Sequence, residues 1–341
     1  MLSDHRDSID RSSQKHLRYD LYASSLVSAK MTEPHPNRLQ STLQRFSSRF
    51  PKPHRELHEA QSVVADEITL TLPVGYGGED SRGTKFSSVS AIWRCKAPVR
   101  AAHSWYQMGA DYWRESSPDL DGVLGGQTHI DAIDLSESLV FLRDSVIAGL
   151  GVGTRRCLDC GAGIGRVTKG LLSLVFDRCD LVEQDEGLLS KAVIELSSTP
   201  ATLSKLGSAV VAGLQDLSFE ELLAMPISSS NKSLVSSIQT KYDVVWFQWV
   251  VGCILDVDYI RLLKDASAHL SPKGCIVVKD NCCRDDVAFV YDCIDASIAR
   301  SPAYHDAVFK MAGLRVVASA LQTSWDSELM PVRMWCLQNN S

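Results

Sequence analysis

The segment Leu158–Arg166, LDCGAGIGR, constrains this chain more than any other. An apolar run, Cys157–Cys160, leads directly into Gly161-Ala162-Gly163-Ile164-Gly165, and helical periodicity resumes over about Gly165–Phe176. A strand that turns through three glycines into a helix lets backbone approach a ligand closely, because glycine carries no Cβ and tolerates left-handed angles. Short apolar runs then alternate with helical patterns. Strands are predicted at Cys179–Val182, Ala209–Ala212, Tyr242–Gln248, Cys275–Lys279, Leu314–Leu321 and Val332–Leu337. Helices are predicted at Glu186–Leu196, Asp256–Leu270 and Tyr304–Ala312, the last followed by Gly313 at the C′ position. This alternation predicts an α/β fold with a largely parallel, doubly wound, Rossmann-like sheet of seven strands.

Two further helices precede the first strand. Ser104–Ser116 has Trp105, Met108, Tyr112 and Trp113 on one side, and Asp134–Ser145 has Ser136 as its expected N-cap. The glycine-marked loop Asp121–Ile130 joins them. Residues 1–103 read as an N-terminal extension and 104–341 as the main domain. Met1 to about Pro53 is rich in Ser, Arg, His and Asp without a sustained apolar period, a composition that buries too little surface to offset chain entropy. Val63–Val74 alternates like one or two strands, and Phe86–Val99, with Trp93, is apolar enough to fold back onto the body. Pro226–Ser237 reads as a Ser-rich insertion loop.

Charge is divided unevenly. Residues 1–100 hold 15 Lys/Arg and 11 Asp/Glu, whereas the remainder holds 20 and 30, a net charge of −10. An acidic body disfavours nucleic acid as the main ligand and favours a cationic one. No apolar run approaches the ~18–20 residues of a membrane span. The first residues include Asp4, His5, Arg6 and Asp7 and lack the apolar run of a signal peptide, so the ten cysteines are expected to be thiols. Cys157 and Cys160 form a CxxC, but no second CxxC or His pair stands at zinc spacing, and no metal is expected.

The glycine spacing bears on the cofactor. A dinucleotide fingerprint has glycines at offsets 0, 2 and 5, where a helix N-terminus cradles a pyrophosphate. Here they fall at 0, 2 and 4. That variant suits S-adenosylmethionine (SAM), which has no pyrophosphate, over NAD or FAD. Arg166 then suits the methionine carboxylate through a bidentate contact. Glu183, at the end of the second strand, suits the two ribose hydroxyls. Leu214-Gln215-Asp216 follows the third strand, where adenine is expected, and Gln248 ends the fourth.

Eight pieces in order make a resemblance specific: Tyr112-Trp113, Asp121–Gly126 (DGVLGG), His129-Ile130, LDCGAGIGR, Gly213–Asp216 (GLQD), Val244–Gly252 (VVWFQWVVG), Lys279–Asn281 (KDN) and Asp292–Ser297 (DCIDAS). Together they resemble the protein α-N-terminal methyltransferases, SAM-dependent class I enzymes acting on proteins that begin Xaa-Pro-Lys/Arg. The resemblance covers about residues 104–337. It implies that Gly161, Gly163 and Arg166 contact SAM, that Glu183, Gln184 and Asp185 hold the ribose side, that Leu214 and Gln215 border the adenine, and that Gln248 borders the methionine portion. It implies a peptide site in which Tyr112 takes part, Trp249 walls the proline ring, and Leu124 and Ile130 close over the chain. Asn281 would hydrogen-bond the first residue. Asp292, Asp295 and Ser297 would bind the peptide N-terminus, with Asp295 as base and Asn281 beside it in the catalytic group. Nucleus and cytoplasm are the implied compartments.

The sequence departs from the family at three places. Cys253 stands where the family usually has a histidine, a proposed partner base. The spacing from Asn281 to Asp295 is slightly longer than usual, and Met330 replaces a customary tyrosine. A thiol is a poor base unless its pKa is depressed. Taken alone, Asp292 and Asp295 also suit the first turn of a helix, at i and i+3. The fold class serves other chemistry as well, a small-molecule or side-chain N-methyltransferase or a catalytically weak scaffold subunit. Activity on a free amine metabolite with none on peptides favours the former, and SAM binding without methyl transfer to any Xaa-Pro-Lys peptide the latter.

Overall fold

The computed structural model describes residues 77–89, 91–92, 101–224, 241–324 and 326–340. The strands expected over Val63–Val74, Trp93 and the Pro226–Ser237 loop lie outside the described residues. In chain order the strands are β1 (Gly78–Asp80), β2 (Lys85–Phe86), β3 (Arg156–Cys160), β4 (Arg178–Glu183), β5 (Leu206–Val211), β6 (Tyr242–Gln248), β7 (Leu270–Asn281), β8 (Phe289–Asp292), β9 (Ser297–Arg300), β10 (Leu314–Leu321) and β11 (Val332–Asn339). Seven of them form one sheet in the order β10-β11-β7-β6-β3-β4-β5. Neighbours are parallel except around β11, which runs antiparallel to both β7 and β10. The chain reverses direction across the sheet at β3, which lies between β4 and β6. Ligands bind at such a switch point, beyond the carboxyl ends of the strands.

Every residue of β6, YDVVWFQ, is buried, as a parallel strand covered on both faces requires. Alternation divides the side chains between two cores. Leu158, Val245, Phe247, Ile276 and Val278 join one with Tyr259, Leu262 and Leu263 of the helix Asp256–Ala268. Cys157, Val244, Trp246, Cys275 and Val277 join the other with Phe141, Leu142 and Leu172. The same alternation disposes of the CxxC. Cys157 and Cys160, an odd number of residues apart on one strand, belong to opposite cores. Burial pushes both thiols well above the usual range. The nine cysteines among the described residues are all free thiols.

Four expectations need correction. The first helix spans Ala101–Glu115, but Met108 is 43% exposed. At ~100° per residue the buried arc through Trp105, Tyr106, Gly109 and Trp113 leaves Met108 about 60° beyond its edge. The second helix starts earlier than expected, at Asp131, so Ser136 is internal and its hydroxyl donates to the Ile133 carbonyl. It continues into a π-helix over Phe141–Ala148. The helix after the glycine loop is short, Arg166–Gly170, and gives way to a 3₁₀ turn at Leu172–Leu174. At the break Gly170 packs closely on the second helix, where a Cβ would lie 2.6 Å from Leu135 Cδ1. Within Asp121–Ile130, a helical turn at Leu120–Val123 is capped by Asp119, and Gly125 and Gly126, both at positive φ, precede a 3₁₀ turn.

Sequence reasoning did not foresee a second sheet, ordered β2-β1-β8-β9. Its β8–β9 hairpin interrupts the passage from β7 to the helix Pro302–Met311. β1 and β2 come from the expected N-terminal extension, and Val89 and Ile92 behind them are buried in the core beside Trp105.

Candidate active site

The glycine loop packs against its surroundings at both ends and stays open in the middle. Gly161 N–H and Ala162 N–H donate to the Val182 carbonyl at 2.9 and 3.0 Å, tying the loop to β4. All three glycines have positive φ. A Cβ on Gly161 would lie 2.5 Å from Val250 Cγ2, and one on Gly165 2.9 Å from Ala192 Cβ. At Gly163 the nearest atom is 3.9 Å away, so this backbone faces free space. The cavity it faces is lined by Gly161, Gly163, Arg166, Glu183, Gln184, Leu214, Gln215 and Gln248, eight of the nine residues expected to hold the cofactor. Asp185 is the exception. It caps the helix Glu186–Ser197, its carboxylate accepting from Leu188 N–H at 2.9 Å, and does not line the cavity.

Glu183 accepts from Gly163 N–H at 2.9 Å through one oxygen and from Asp185 N–H at 3.0 Å through the other. Each oxygen keeps a further lone pair, which suits vicinal hydroxyls. Burial pushes its pKa up, and the backbone amides of Asp185, Gly163 and Gln184 counter this. Together with the open backbone at Gly163, this acceptor pair fits SAM.

Arg166 is anchored from the side. Its Nη1 pairs with Asp131 at 2.9 Å and Asp134 at 2.7 Å, and its guanidinium lies 5.2 Å from the Trp249 ring centroid. Sequence reasoning missed Asp134, which organises this corner. It is fully buried, accepts from Gln248 Nε2 at 2.8 Å and pairs with the fully buried Lys279. Lys279 also donates to Ser138 Oγ at 2.8 Å. Burial pushes the lysine pKa down and Asp134 raises it. The remaining amide oxygen of Gln248 accepts from Trp246 Nε1 at 3.1 Å, so Gln248 is fixed in orientation. The only cue in the sequence was an acidic residue at a helix start, and that is too common to single out.

Trp249 marks the junction between two cavities. It has φ 53°, a left-handed conformation rare for a bulky residue, and lines the cofactor cavity and a larger groove of about 860 Å³. The groove gathers all the expected peptide residues: Tyr112, Leu124, Ile130, Asn281, Asp292, Asp295 and Ser297, with Met330 on its rim. Its wall also carries Glu79, Asp80, Asp280 and Glu328 against one cation, Arg284, so it favours a positive ligand.

Asp292 and Asp295 are not in a first helical turn. Asp292 pairs with Ser297 across the β8–β9 hairpin, and Asp295 sits in the connecting turn. Asp292 accepts from Ile294 N–H at 2.8 Å and Asp295 from Ser297 N–H at 2.9 Å. These bonds close a turn in which Ala296 takes φ 55°. Asp295's pKa is raised, first by burial and also by the charge on Asp292, while bonds from Ser297 oppose the shift.

Cys253 lies on the loop after β6. Its thiol is pushed up to about 12 by burial, with the charges of Asp295 and Asp280 adding to the shift, so it is neutral at physiological pH. Two buried contacts hold this loop. Trp105 Nε1 donates to the Cys253 carbonyl at 2.8 Å. Arg300 donates to the Val251 and Ile254 carbonyls at 2.9 and 2.8 Å while paired with Asp256.

A switch-point cavity with an open glycine backbone and a carboxylate placed for ribose defines a SAM-dependent methyltransferase. The comparisons narrow the class. Residues 101–338 match the family of AdoMet dependent proline di-methyltransferases. Alpha N-terminal protein methyltransferase 1 of Dictyostelium discoideum is 32% identical over 289 residues, covering 82% of this chain and 98% of that protein. N-terminal Xaa-Pro-Lys N-methyltransferase 1 of Rattus norvegicus is 33% identical over 235 residues, 69% of this chain and 95% of that one. A solved SAM-dependent methyltransferase of Leishmania major is 30% identical with a TM-score of 0.65, covering 77% of this chain and 96% of its own. The chain belongs to the AdoMet-dependent proline di-methyltransferase family, and its cofactor is SAM.

Proposed function

We propose that the protein methylates the α-amine of proteins and peptides beginning Xaa-Pro-Lys or Xaa-Pro-Arg, leaving S-adenosylhomocysteine as the other product. The observation that carries this reading is the junction at Trp249, where a large acidic groove meets the cofactor cavity. SAM supplies an electrophilic methyl group on a sulfonium. Gly161, Gly163, Glu183, Gln184, Leu214 and Gln215 hold its nucleoside part, and Arg166 and Gln248 its amino-acid part.

The chain's own work is on the nucleophile. An α-amine has a pKa near ~8, so at neutral pH it arrives mainly as a cation without a lone pair. Asp292 and Asp295 hold that cation beside Ser297. Asn281 orients the first residue, and Trp249 and Tyr112 wall the following ring. Leu124 and Ile130 close the other side. Asp295 accepts the proton, and neutral Cys253 does not compete for it. Holding the amine aligned supplies much of the remaining acceleration. The groove's volume and charge favour peptides over a small amine metabolite. Nucleus and cytoplasm complete the proposal, to be checked by imaging the tagged protein.

Steady-state kinetics on Xaa-Pro-Lys, Xaa-Pro-Arg and Xaa-Ala-Lys peptides, with free amine metabolites alongside, test this reading. The expected order has the two proline peptides well ahead. Preference for a metabolite would support a small-molecule enzyme, and SAM binding with no transfer a scaffold.

A further inference from the structure

One buried ion cluster borders both cavities. Asp134 is fully buried, and its carboxylate meets three side chains: Arg166 at 2.7 Å, Gln248 at 2.8 Å, and Lys279. Arg166 and Gln248 line the cofactor cavity, whereas Lys279 lines neither cavity. The fully buried Lys279 also donates to the Asp134 carbonyl at 3.2 Å and to Ser138 Oγ at 2.8 Å. A cation placed in this way acts through what it packs against, and here that is Trp249. The Lys279 carbonyl accepts from Trp249 N–H at 3.0 Å, on the backbone held at φ 53°. The indole centroid lies 5.2 Å from the Arg166 guanidinium and 6.0 Å from Lys279 Nζ. Both distances allow a cation–π attraction, and both cations pair with the same carboxylate. Asp134, Arg166, Trp249 and Lys279 therefore make a closed chain of contacts, and Trp249 lines both the cofactor cavity and the peptide groove.

We propose that Asp134 and Lys279 are positioning residues that couple the two cavities, so that cofactor and peptide each bind more tightly in the presence of the other; this rests on the α-amine reading above. The coupling works through shared ordering. A ligand carboxylate on Arg166 fixes the guanidinium, and the guanidinium fixes the indole it lies against. A proline ring then packs on a wall that is already ordered, and less conformational entropy is lost when the peptide binds. Linkage makes the effect reciprocal: the factor by which the cofactor tightens the peptide is the factor by which the peptide tightens the cofactor.

Each member of the chain has a distinct part. Arg166 and Lys279 are like charges beside one indole and repel each other unless a carboxylate stands between them. Asp134 is that carboxylate, and its pair with Arg166 keeps the guanidinium beside the ring. Lys279 holds Asp134 through its side chain and Trp249 through its carbonyl, so a shift at either end reaches the other. Gln248 and Lys279 are paired across β6 and β7, so Gln248, Trp249 and Asn281 all leave the sheet from the same two adjacent strand ends. The cluster thus sits where the strands that carry cofactor and peptide residues meet.

Calorimetry on the full chain reads the coupling directly. The dissociation constant of one Xaa-Pro-Lys peptide is measured with and without saturating S-adenosylhomocysteine, which keeps the amino-acid carboxylate and transfers no methyl group. Wild type is expected to bind the peptide ~10-fold more tightly with it, within the usual range for coupled sites. The reverse titration, S-adenosylhomocysteine with and without peptide, should return the same factor. In Lys279→Met and in Asp134→Asn that factor is expected to fall at least ~3-fold. Lys279→Arg, which restores a cation, should keep most of it. The ratio is the informative quantity, because a purely structural role weakens peptide binding equally with and without the nucleoside and leaves the ratio unchanged. A wild-type factor of one overturns the proposal, and so does a factor unchanged in Lys279→Met or, should that variant not fold, in Asp134→Asn. Wild type that binds S-adenosylhomocysteine but no Xaa-Pro-Lys peptide in either titration would instead overturn the α-amine reading itself, so the two failures are distinguishable.

Discussion

Arg166 shows how much of a residue's role lies in its neighbours. The sequence placed it one step after the glycine loop and matched it to a carboxylate. The structure adds that Asp131, Asp134 and Trp249 hold the guanidinium in place. Arg166→Ala is therefore expected to weaken SAM binding by more than ~1.5 kcal/mol, measured by calorimetry, because a pre-positioned charge-assisted contact is lost. Lys279→Met is expected to lower unfolding stability by ~1–3 kcal/mol in denaturant titration, since it removes one of the two cations paired with buried Asp134, leaving Arg166, and takes the donor from Ser138 Oγ. At Cys253 the neutral thiol leaves little acid–base work to lose. Cys253→Ser should change kcat little, while Asp295→Asn should lower it at least ~100-fold on the same peptide. Because Asp295's pKa is raised, its share of activity disappears on acidification sooner than for an ordinary exposed aspartate. Residues carrying a motif were legible: Glu183, Gln248, Trp249 and Asn281 all reach the cavities expected of them. Asp134 and Lys279 were not, because their roles depend on burial and on partners far along the chain.

Elements with one strong period were read to within a few residues. Tyr242–Gln248 and Leu314–Leu321 match the observed strands end to end, the first because a fully buried run leaves little freedom. The short strands of the second sheet carry no such signal. β1 and β2 are only a few residues long and are defined by pairing with a distant hairpin. Two loops transmit this architecture to the site. Gly161→Ala would place a Cβ against Val250 on a left-handed backbone, so SAM should stabilise that variant far less than wild type in a thermal-shift assay. Trp105→Phe removes the indole donor that holds the Cys253 carbonyl while keeping most of the buried ring. Its expected signature is a raised peptide KM with SAM affinity nearly unchanged.

For the molecule as a whole, acidic residues from the N-terminal extension and the main domain gather in one place. Glu79, Asp80, Asp280, Asp292, Asp295 and Glu328 line one groove, and two of them arrive on β1, far from the rest in sequence. Peptide KM should consequently rise with ionic strength while SAM affinity changes little, because exposed attraction over more than about 8 Å is screened at 0.15 M salt. Fold class and cofactor were legible from one loop and an alternation, whereas the groove's charge required the tertiary arrangement. The central claim is that the groove delivers an α-amine to the methyl group. Tandem mass spectrometry of an Xaa-Pro-Lys peptide, incubated with the enzyme and isotope-labelled SAM, tests it most directly. The expected result is label confined to the N-terminal nitrogen and abolished when that nitrogen is acetylated. Label on the lysine side chain, or transfer that survives acetylation, would contradict it.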